Sequence, residues 1–550
     1  MDGDPRLPKV AQLVSAGLAT GPLRRLQGAC GASALGSWTF FVALAVYAYR
    51  AGGPTAVGAA ALVRMVPAGL GAPAAGVLVD RRPRRDVLIA TLVLRAVVVT
   101  AIAATVAAGA PLASVLVLAA LFTIASSAHK PAQAALLPAL AETPRQLGAS
   151  NALSTAFDNA AFMAGSLLAG VLIATTSLAV TFAATALLFA LAVAPMAAIR
   201  RDPVPAYRAA GSGSGLGAFA DAAAGFRDIA ADADVRLIVG FLSVATLVEG
   251  AVDVLVVVLA IQLLDLGDAG VGWLNGAWGL GGLLGGAAAL GLLGRGRLSA
   301  GIAAGGLLVG VSLMVAAGVL QPAVAVTTLV VLGVGFALIE TAGLSLLQRL
   351  TSDEVLGRAF AVVETTYWLT TGLGAMLAPG VIGLLGARGA VVGVGACLPL
   401  GVALRWAALH RFEEHAVVPE REFGALRALP VFAPLPIATV ENLARRVATR
   451  PVRAGETVIR RGDPGEDFYV VADGILDVSD TDGSPPPLHA GDFFGEIALL
   501  RDVPRTATVT ARDEGRLYVL DRDAFLMGVG AHRHSTEAVE RVATARLQRG

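Results

Sequence analysis

Twelve apolar runs of about 20 residues dominate the first 410 positions, and a run of that length crosses the hydrocarbon core of a bilayer as one helix. Six lie near 26–49, 55–79, 87–109, 111–139, 146–173 and 177–199. Six more lie near 236–264, 269–293, 298–320, 323–349, 357–384 and 389–410. Between the sets, Arg200 to Asp234 is polar and opens with RRDPVPAYRAAGSGSG. Pro, Ser and Gly there mark a flexible connector, and Phe219–Ala233 reads as a short amphipathic helix. The expected fold is an α-helical membrane protein with twelve transmembrane helices in two six-helix bundles, 24–199 and 236–410. A segment 1–23 precedes them and a connector, 200–235, joins them.

Charge separates this body from the remainder of the chain. Residues 1–410 hold 43 Asp, Glu, Lys and Arg, whereas the 140 residues from 411 to 550 hold 40. That split excludes one uniform domain and predicts a soluble tail. The net charge of +1 averages two unlike regions and says little about partners. Only Lys9 and Lys130 are lysines, and neither follows a Gly. A Walker A loop needs Gly-Lys, so a P-loop ATPase is excluded. Cys30 and Cys397 stand far apart in apolar runs, without metal-ligand spacing, and read as small buried residues. No cleavable signal peptide is expected, because the first apolar run is long enough to span.

Arg and Lys set the orientation. With twelve spans and both ends inside, the inside segments hold Arg24, Arg25, Arg81, Arg82, Arg84, Arg85, Lys130, Arg145 and seven further arginines. The outside turns hold only Arg50 and Arg388. This positive-inside bias puts the tail in the cytoplasm of a plasma-membrane protein. The halves also share a layout. Gly76-Val-Leu-Val-Asp80-Arg81-Arg82-Pro83-Arg84-Arg85 follows the second run, and Gly291-Leu-Leu-Gly-Arg295-Gly-Arg297 follows the second run of the second half. Six-helix repeats with a site between them are a transporter architecture.

The first of these basic loops resembles the signature loop of the major facilitator superfamily, with Pro83 where Gly is usual. LGSW at Leu35–Trp38, KPAQAALLPAL at Lys130–Leu140 and GASNAL at Gly148–Leu153 resemble an exporter subgroup that includes enterobactin exporters. Ser37 stands where that subgroup usually has Asp, and Ser166 replaces the Pro of the exporters' Gly-Pro motif. The resemblance covers about residues 24–410. It implies a gating loop of Gly76, Asp80, Arg81, Arg84 and Arg85. Asp80 would latch to the N-terminus of the eleventh helix, near Gly357, where the helix dipole favours an anion.

Charged groups inside a membrane are costly and usually functional. They are Arg64, Arg95, Asp158, Glu249, Asp253, Glu340 and Glu364. Glu249 and Asp253 stand i,i+4 on one helix face, and two carboxylates that close trade a proton readily. They are candidates for proton coupling. Pairing of one of them with Arg64 or Arg95 is the alternative. Glu340, Glu364 and Asp158 are further candidates for proton or substrate contact. Glu364, Tyr367 and Trp368 would line a substrate cavity or form a polar helix interface. An apolar cavity with a few acids suits small amphipathic or cationic molecules.

The tail changes character after His410. A linker, 411–429, leads into a domain at 430–550. Ile437, Val440, Leu443 and Val447 recur at helical spacing. Short β runs come next, separated by tight Gly turns, and predict a cytoplasmic β-roll (jelly-roll-like) domain with flanking helices. Phe494-Gly495-Glu496-Ile497-Ala498-Leu499-Leu500, followed by Pro504-Arg505-Thr506-Ala507-Thr508-Val509, resembles the phosphate-binding cassette of cyclic-nucleotide-binding domains. The catabolite activator protein and kinase regulatory subunits share that domain, and the resemblance covers about 430–530. It implies cAMP or cGMP as a regulatory ligand, with Glu496 accepting the ribose 2′-OH and Arg505 pairing with the cyclic phosphate. Backbone N–H groups around Gly495, Ile497 and Ala498 would help bind that anion, and Thr506 leaves cAMP and cGMP open. Residues 531–549 read as a helix over the base, with Val539 or Val542 as the lid.

The expected function is secondary active transport, a proton-coupled exporter regulated by a cyclic nucleotide. A nucleotide-binding membrane sensor without transport and a cyclic-nucleotide-gated channel are the alternatives. No TVGYG filter or Arg-repeat voltage helix favours the channel. No triad or metal cluster suggests an enzyme. Lipid, a small-molecule substrate and the nucleotide are the expected partners, with no metal, no nucleic acid, and a monomer or weak homo-oligomer.

Overall fold

The computed structural model describes residues 17–200, 227, 229, 232–293, 298–351, 353–416, 419–433, 435, 437–479 and 486–530. Two compact units divide the chain, Met1–Glu413 and Glu414–Gly550. Expectations for the amphipathic helix in the connector, for Arg295 and Arg297, and for the lid at 531–549 fall largely or wholly outside the described residues.

The described residues of the first unit are almost all helical. Its helices are α1 (Gly21–Arg81), α2 (Arg84–Ala107), α3 (Leu112–Ser126), α4 (His129–Leu140), α5 (Pro144–Thr175) and α6 (Leu178–Ala197). The second half supplies α7 (Ala233–Val258), α8 (Gly267–Leu293), α9 (Leu298–Gly318), α10 (Pro322–Leu350) and α11 (Asp353–Ala416). A π turn, Leu259–Leu263, extends α7. Among the described residues, nine helices are long and apolar enough to cross a membrane. Two of the helices are broken. Gly53 in α1 has φ +62, and Gly386 in α11 has φ +71, values that glycine adopts without the clash a Cβ brings.

Side-chain caps define several starts. Thr20 Oγ1 accepts from the Leu23 N–H at 3.4 Å, and Thr143 Oγ1 accepts from the Gln146 N–H at 3.2 Å. Each satisfies one of the donors that a helix N-terminus leaves open.

The signature stretch is mostly helix. α1 runs through Arg81, Arg82 and Pro83 are non-helical, and α2 resumes at Arg84. The expected loop is therefore two residues long, because Pro at the start of a helix needs no N–H partner. Arg85 Nη2 donates to the Ala197 carbonyl at 2.6 Å, and Arg25 Nη1 donates to the Ala198 carbonyl at 2.8 Å. Both arginines satisfy carbonyls at the C-terminal end of α6, where the helix dipole favours a cation. The surroundings of Gly76 and Asp80, and of residues 352–359, lie outside the described residues.

Lys130, counted with the inside segments by sequence, lies in α4 and pairs with Asp158 of α5 at 3.3 Å.

The second unit contains α12 (Glu420–Ala428), α13 (Ile437–Arg446), α14 (Glu496–Arg501) and α15 (Arg522–Gly530) around seven strands. The strands are β1 (Ala448–Val452), β2 (Thr457–Ile459), β3 (Asp467–Asp473), β4 (Leu476–Ser479), β5 (Phe493–Phe494), β6 (Thr508–Ala511) and β7 (Gly515–Asp521). They form two sheets, ordered β1-β7-β3-β5 and β2-β6-β4, with antiparallel pairs throughout. Successive side chains of a strand point to opposite faces. So Phe468 and Val470 of β3 pack with the helices, while Tyr469 and Val471 face the core shared with Val509 and Leu476. Phe468 stacks on Phe525 of α15 at 4.6 Å. α12 lies within the stretch read as a linker, 411–429. Its Leu426, and Leu429 just beyond it, join the helix-side core with Val440 and Leu443 of α13.

Candidate functional site

In the second unit the cassette grows out of one left-handed glycine. β5 ends at Phe494, Gly495 takes φ +91, and α14 starts at Glu496. A Cβ on Gly495 would stand 2.7 Å from Arg505 Nη1. Asp502, at φ +52, turns the chain out of α14. Arg505 then returns beneath Gly495. Its Nη1 donates to the Gly495 carbonyl at 3.1 Å and its Nη2 to the Asp467 carbonyl at 2.8 Å. Its backbone N–H donates to Asp463 O, and its carbonyl accepts from the Gly462 N–H.

Arg505 is 5% exposed and Glu496 1% exposed. A buried guanidinium is destabilised unless polar groups surround it. Burial pulls Arg505 below its ordinary range, while Tyr469, Asp467, Glu496 and Asp463 oppose that pull. An arginine so placed stays a cation. Ala498 is buried, and Ile497 and Thr506 are half-buried. The structure thus gathers Gly495, Glu496, Ala498 and Arg505 around one cradle. A planar guanidinium there suits two oxygens of one phosphate, and a carboxylate beside it suits a hydroxyl donor.

Three neighbours of the cradle lie outside the motif that marks it in the sequence. Asp467 gives its carbonyl to Arg505. Tyr469 carries the Arg505 Cζ 5.7 Å from its ring centroid. Gly465 packs so closely that a Cβ would meet the Ala498 Cβ at 2.5 Å. The Gly-Asp-Pro-Gly turn and the alternation along β3 were the available signals.

The first unit holds a second cluster, between its halves. Arg64 of α1 meets Asp253 of α7 at 3.4 Å and covers the Phe41 ring at 4.2 Å. A small cavity of about 50 Å³ lies beside them, lined by Trp38, Phe41, Phe162 and Asn275 among others. That volume holds a few waters. The Tyr367 hydroxyl donates to Glu249 Oε1 at 3.4 Å. The expected Glu249/Asp253 pair therefore has two different partners. Trp368 Nε1 donates to Glu364 Oε1 at 2.9 Å. Glu340 has Lys130 and Glu364 as charged neighbours. Arg95 stays apart. Its Nη1 donates to Ser33 Oγ at 2.7 Å, within the first half. Among the described residues, no group of three or more His, Cys, Asp or Glu could hold a metal ion.

Nine apolar helices among the described residues, with ion pairs between the halves, followed by a two-sheet domain with an arginine cradle, define a multi-pass membrane protein with a ligand-binding tail. Residues 28–369 match the Major Facilitator Superfamily, and the chain belongs to it. Residues 449–529 match the cyclic nucleotide-binding domain. A cAMP-dependent protein kinase regulatory subunit of Yarrowia lipolytica is 36% identical over 104 residues, 18% of this chain and 28% of its own length. A cGMP-dependent protein kinase, egl-4, of Caenorhabditis briggsae is 43% identical over 86 residues, 15% of this chain and 12% of its own. The chain thus spans less than a third of either relative. The cAMP-bound regulatory domain of Toxoplasma gondii PKA is 21% identical, with TM-score 0.22, over 25% of this chain and 52% of that one.

Proposed function

We propose that the chain is a secondary active transporter of the plasma membrane whose activity responds to cAMP or cGMP bound by its tail. The observation that carries this reading is the burial of Arg505 and Glu496 in one cassette, on a chain that belongs to a transporter superfamily. A ligand shifts a transport equilibrium only by its different affinity for the two states. The nucleotide would supply that difference through Arg505.

Twelve spans fit the helices. The two broken helices count as two arms each, and α8 adds one to the nine apolar candidates. Both termini are then cytoplasmic. The reading further takes the transporter as a proton-coupled exporter of small amphipathic molecules, akin to the enterobactin-exporter subgroup. Arg64–Asp253 supports it by setting an ion pair between the two halves, and Glu249–Tyr367 by holding a carboxyl group against a hydroxyl within the second half. No enzymatic step is part of the proposal.

A nucleotide-binding sensor without transport is the second reading. Ser37 and Ser166 favour it, because they replace the Asp and Pro that resemblance to the exporters leads one to expect. The test reconstitutes the full chain in vesicles with an imposed pH gradient and screens amphipathic substrates with and without cAMP or cGMP. Transport that changes with nucleotide, and no longer does so in Arg505→Ala, supports the first reading. Nucleotide binding with no transport of any substrate supports the second.

A further inference from the structure

We propose that Tyr469 is a positioning residue of the nucleotide site, holding the Arg505 guanidinium in the orientation that meets the phosphate. This rests on the reading of the cassette as a nucleotide site. Three groups fix that guanidinium: the Gly495 carbonyl, the Asp467 carbonyl and the Tyr469 ring. Two of the three pass through Tyr469. Its ring lies against the Arg505 Cζ, and its hydroxyl donates to Asp467 Oδ2 at 3.2 Å. The same Asp467 presents its carbonyl to Nη2.

The ring is itself held. Tyr469 is 4% exposed and stacks on Phe494 at 4.9 Å with an interplanar angle of 10°. Phe494 immediately precedes the left-handed Gly495. Phe494, Tyr469 and Arg505 therefore form one column, from the strand that opens the cassette to the arginine that closes it. An arginine has five N–H donors, and the two carbonyls use two of them. The remaining three serve a ligand only if the plane of the guanidinium is fixed, because two-point contact with phosphate depends on that plane. A leucine at 469 would fill the core of the domain but would neither attract the cation nor bind Asp467.

Calorimetric titration of the detergent-solubilised full chain with cAMP and with cGMP tests the assignment, alongside the melting temperature of each nucleotide-free variant. Tyr469→Leu is expected to weaken binding about thirtyfold, the size of a desolvated cation–π contact. Tyr469→Phe keeps the ring and is expected to stay within about threefold of wild type. In an Arg505→Lys background, whose charge is kept but whose plane is lost, Tyr469→Leu is expected to cost less than about twofold. Three results overturn the inference: Tyr469→Leu binding like wild type, Phe and Leu losing equally, or an equal loss in the Arg505→Lys background. A wild type that binds neither nucleotide overturns the reading of the cassette itself, and the assignment of Tyr469 with it.

Discussion

The Arg64 guanidinium, on the arm of α1 that follows the Gly53 break, lies 3.4 Å from the Asp253 carboxylate of α7, so one ion pair ties the first half of the transporter unit to the second. Phe41 lies under the same guanidinium at 4.2 Å. An ion pair beside apolar walls is less screened than one in water. If the pair takes part in coupling, Asp253→Asn removes pH-gradient-driven transport and leaves exchange without a gradient. The exchanged pair, Arg64→Asp with Asp253→Arg, stays inactive in the gradient assay. If the pair only holds helices together, that exchange restores transport. Vesicle flux with and without a gradient separates the two outcomes.

A second link joins the halves. Arg50 pairs with Asp268, and a Cβ on Gly272 of α8 would stand 2.5 Å from the Gly170 Cα of α5. Helices that meet this closely need glycine at the contact. Alternating access requires such a contact to open. The paired substitutions Arg50→Cys and Asp268→Cys, in a Cys30→Ser, Cys397→Ser background, are expected to lose transport on oxidation and regain it on reduction. Unchanged flux in the oxidised, cross-linked protein would show that this contact does not open.

Much of this architecture is legible in the residue pattern, and distance along the chain hides the rest. Apolar runs locate the helices, because hydrocarbon requires the backbone to bond within its own segment. The short strands are legible from turn glycines such as Gly474, at φ +96. Glu496 and Arg505 stand close in sequence, so their cassette is visible as a motif. Asp253 stands 189 residues from Arg64, and nothing local in either segment selects one partner over the other. Lys130 shows no partner in its own segment, and only the packing of α5 brings Asp158 beside it. Tyr469 looks like one more apolar strand residue, and only the return of the chain at Arg505 gives its ring a cation.

Arg505 is the residue on which nucleotide affinity should depend most. A charge-assisted bond contributes about 1.5–3 kcal/mol, so Arg505→Ala is expected to weaken cAMP or cGMP binding about ten- to a hundredfold. It also leaves Glu496, 1% exposed, without its cationic neighbour. The nucleotide-free tail should therefore melt earlier as well. Titration of the full chain gives the first quantity and thermal unfolding gives the second. Wild-type affinity in Arg505→Ala would remove the cassette from the mechanism.

Gly495 offers a test of geometry that leaves every charge in place. Its φ of +91 is a backbone conformation that alanine adopts only with strain of about 1–3 kcal/mol. The added Cβ would also press on Arg505 Nη1 from 2.7 Å and on the Asp467 carbonyl from 3.0 Å. Both contacts fall on the groups that orient the guanidinium. Gly495→Ala is thus expected to lower the stability of the tail and to weaken nucleotide binding together. Gly491→Ala is the control: its φ of +93 gives similar strain, but no atom lies within 4 Å of the new Cβ. That variant should lose stability with nucleotide affinity nearly unchanged. Equal losses of affinity in both variants would mean that backbone strain, not the position of Arg505, limits binding.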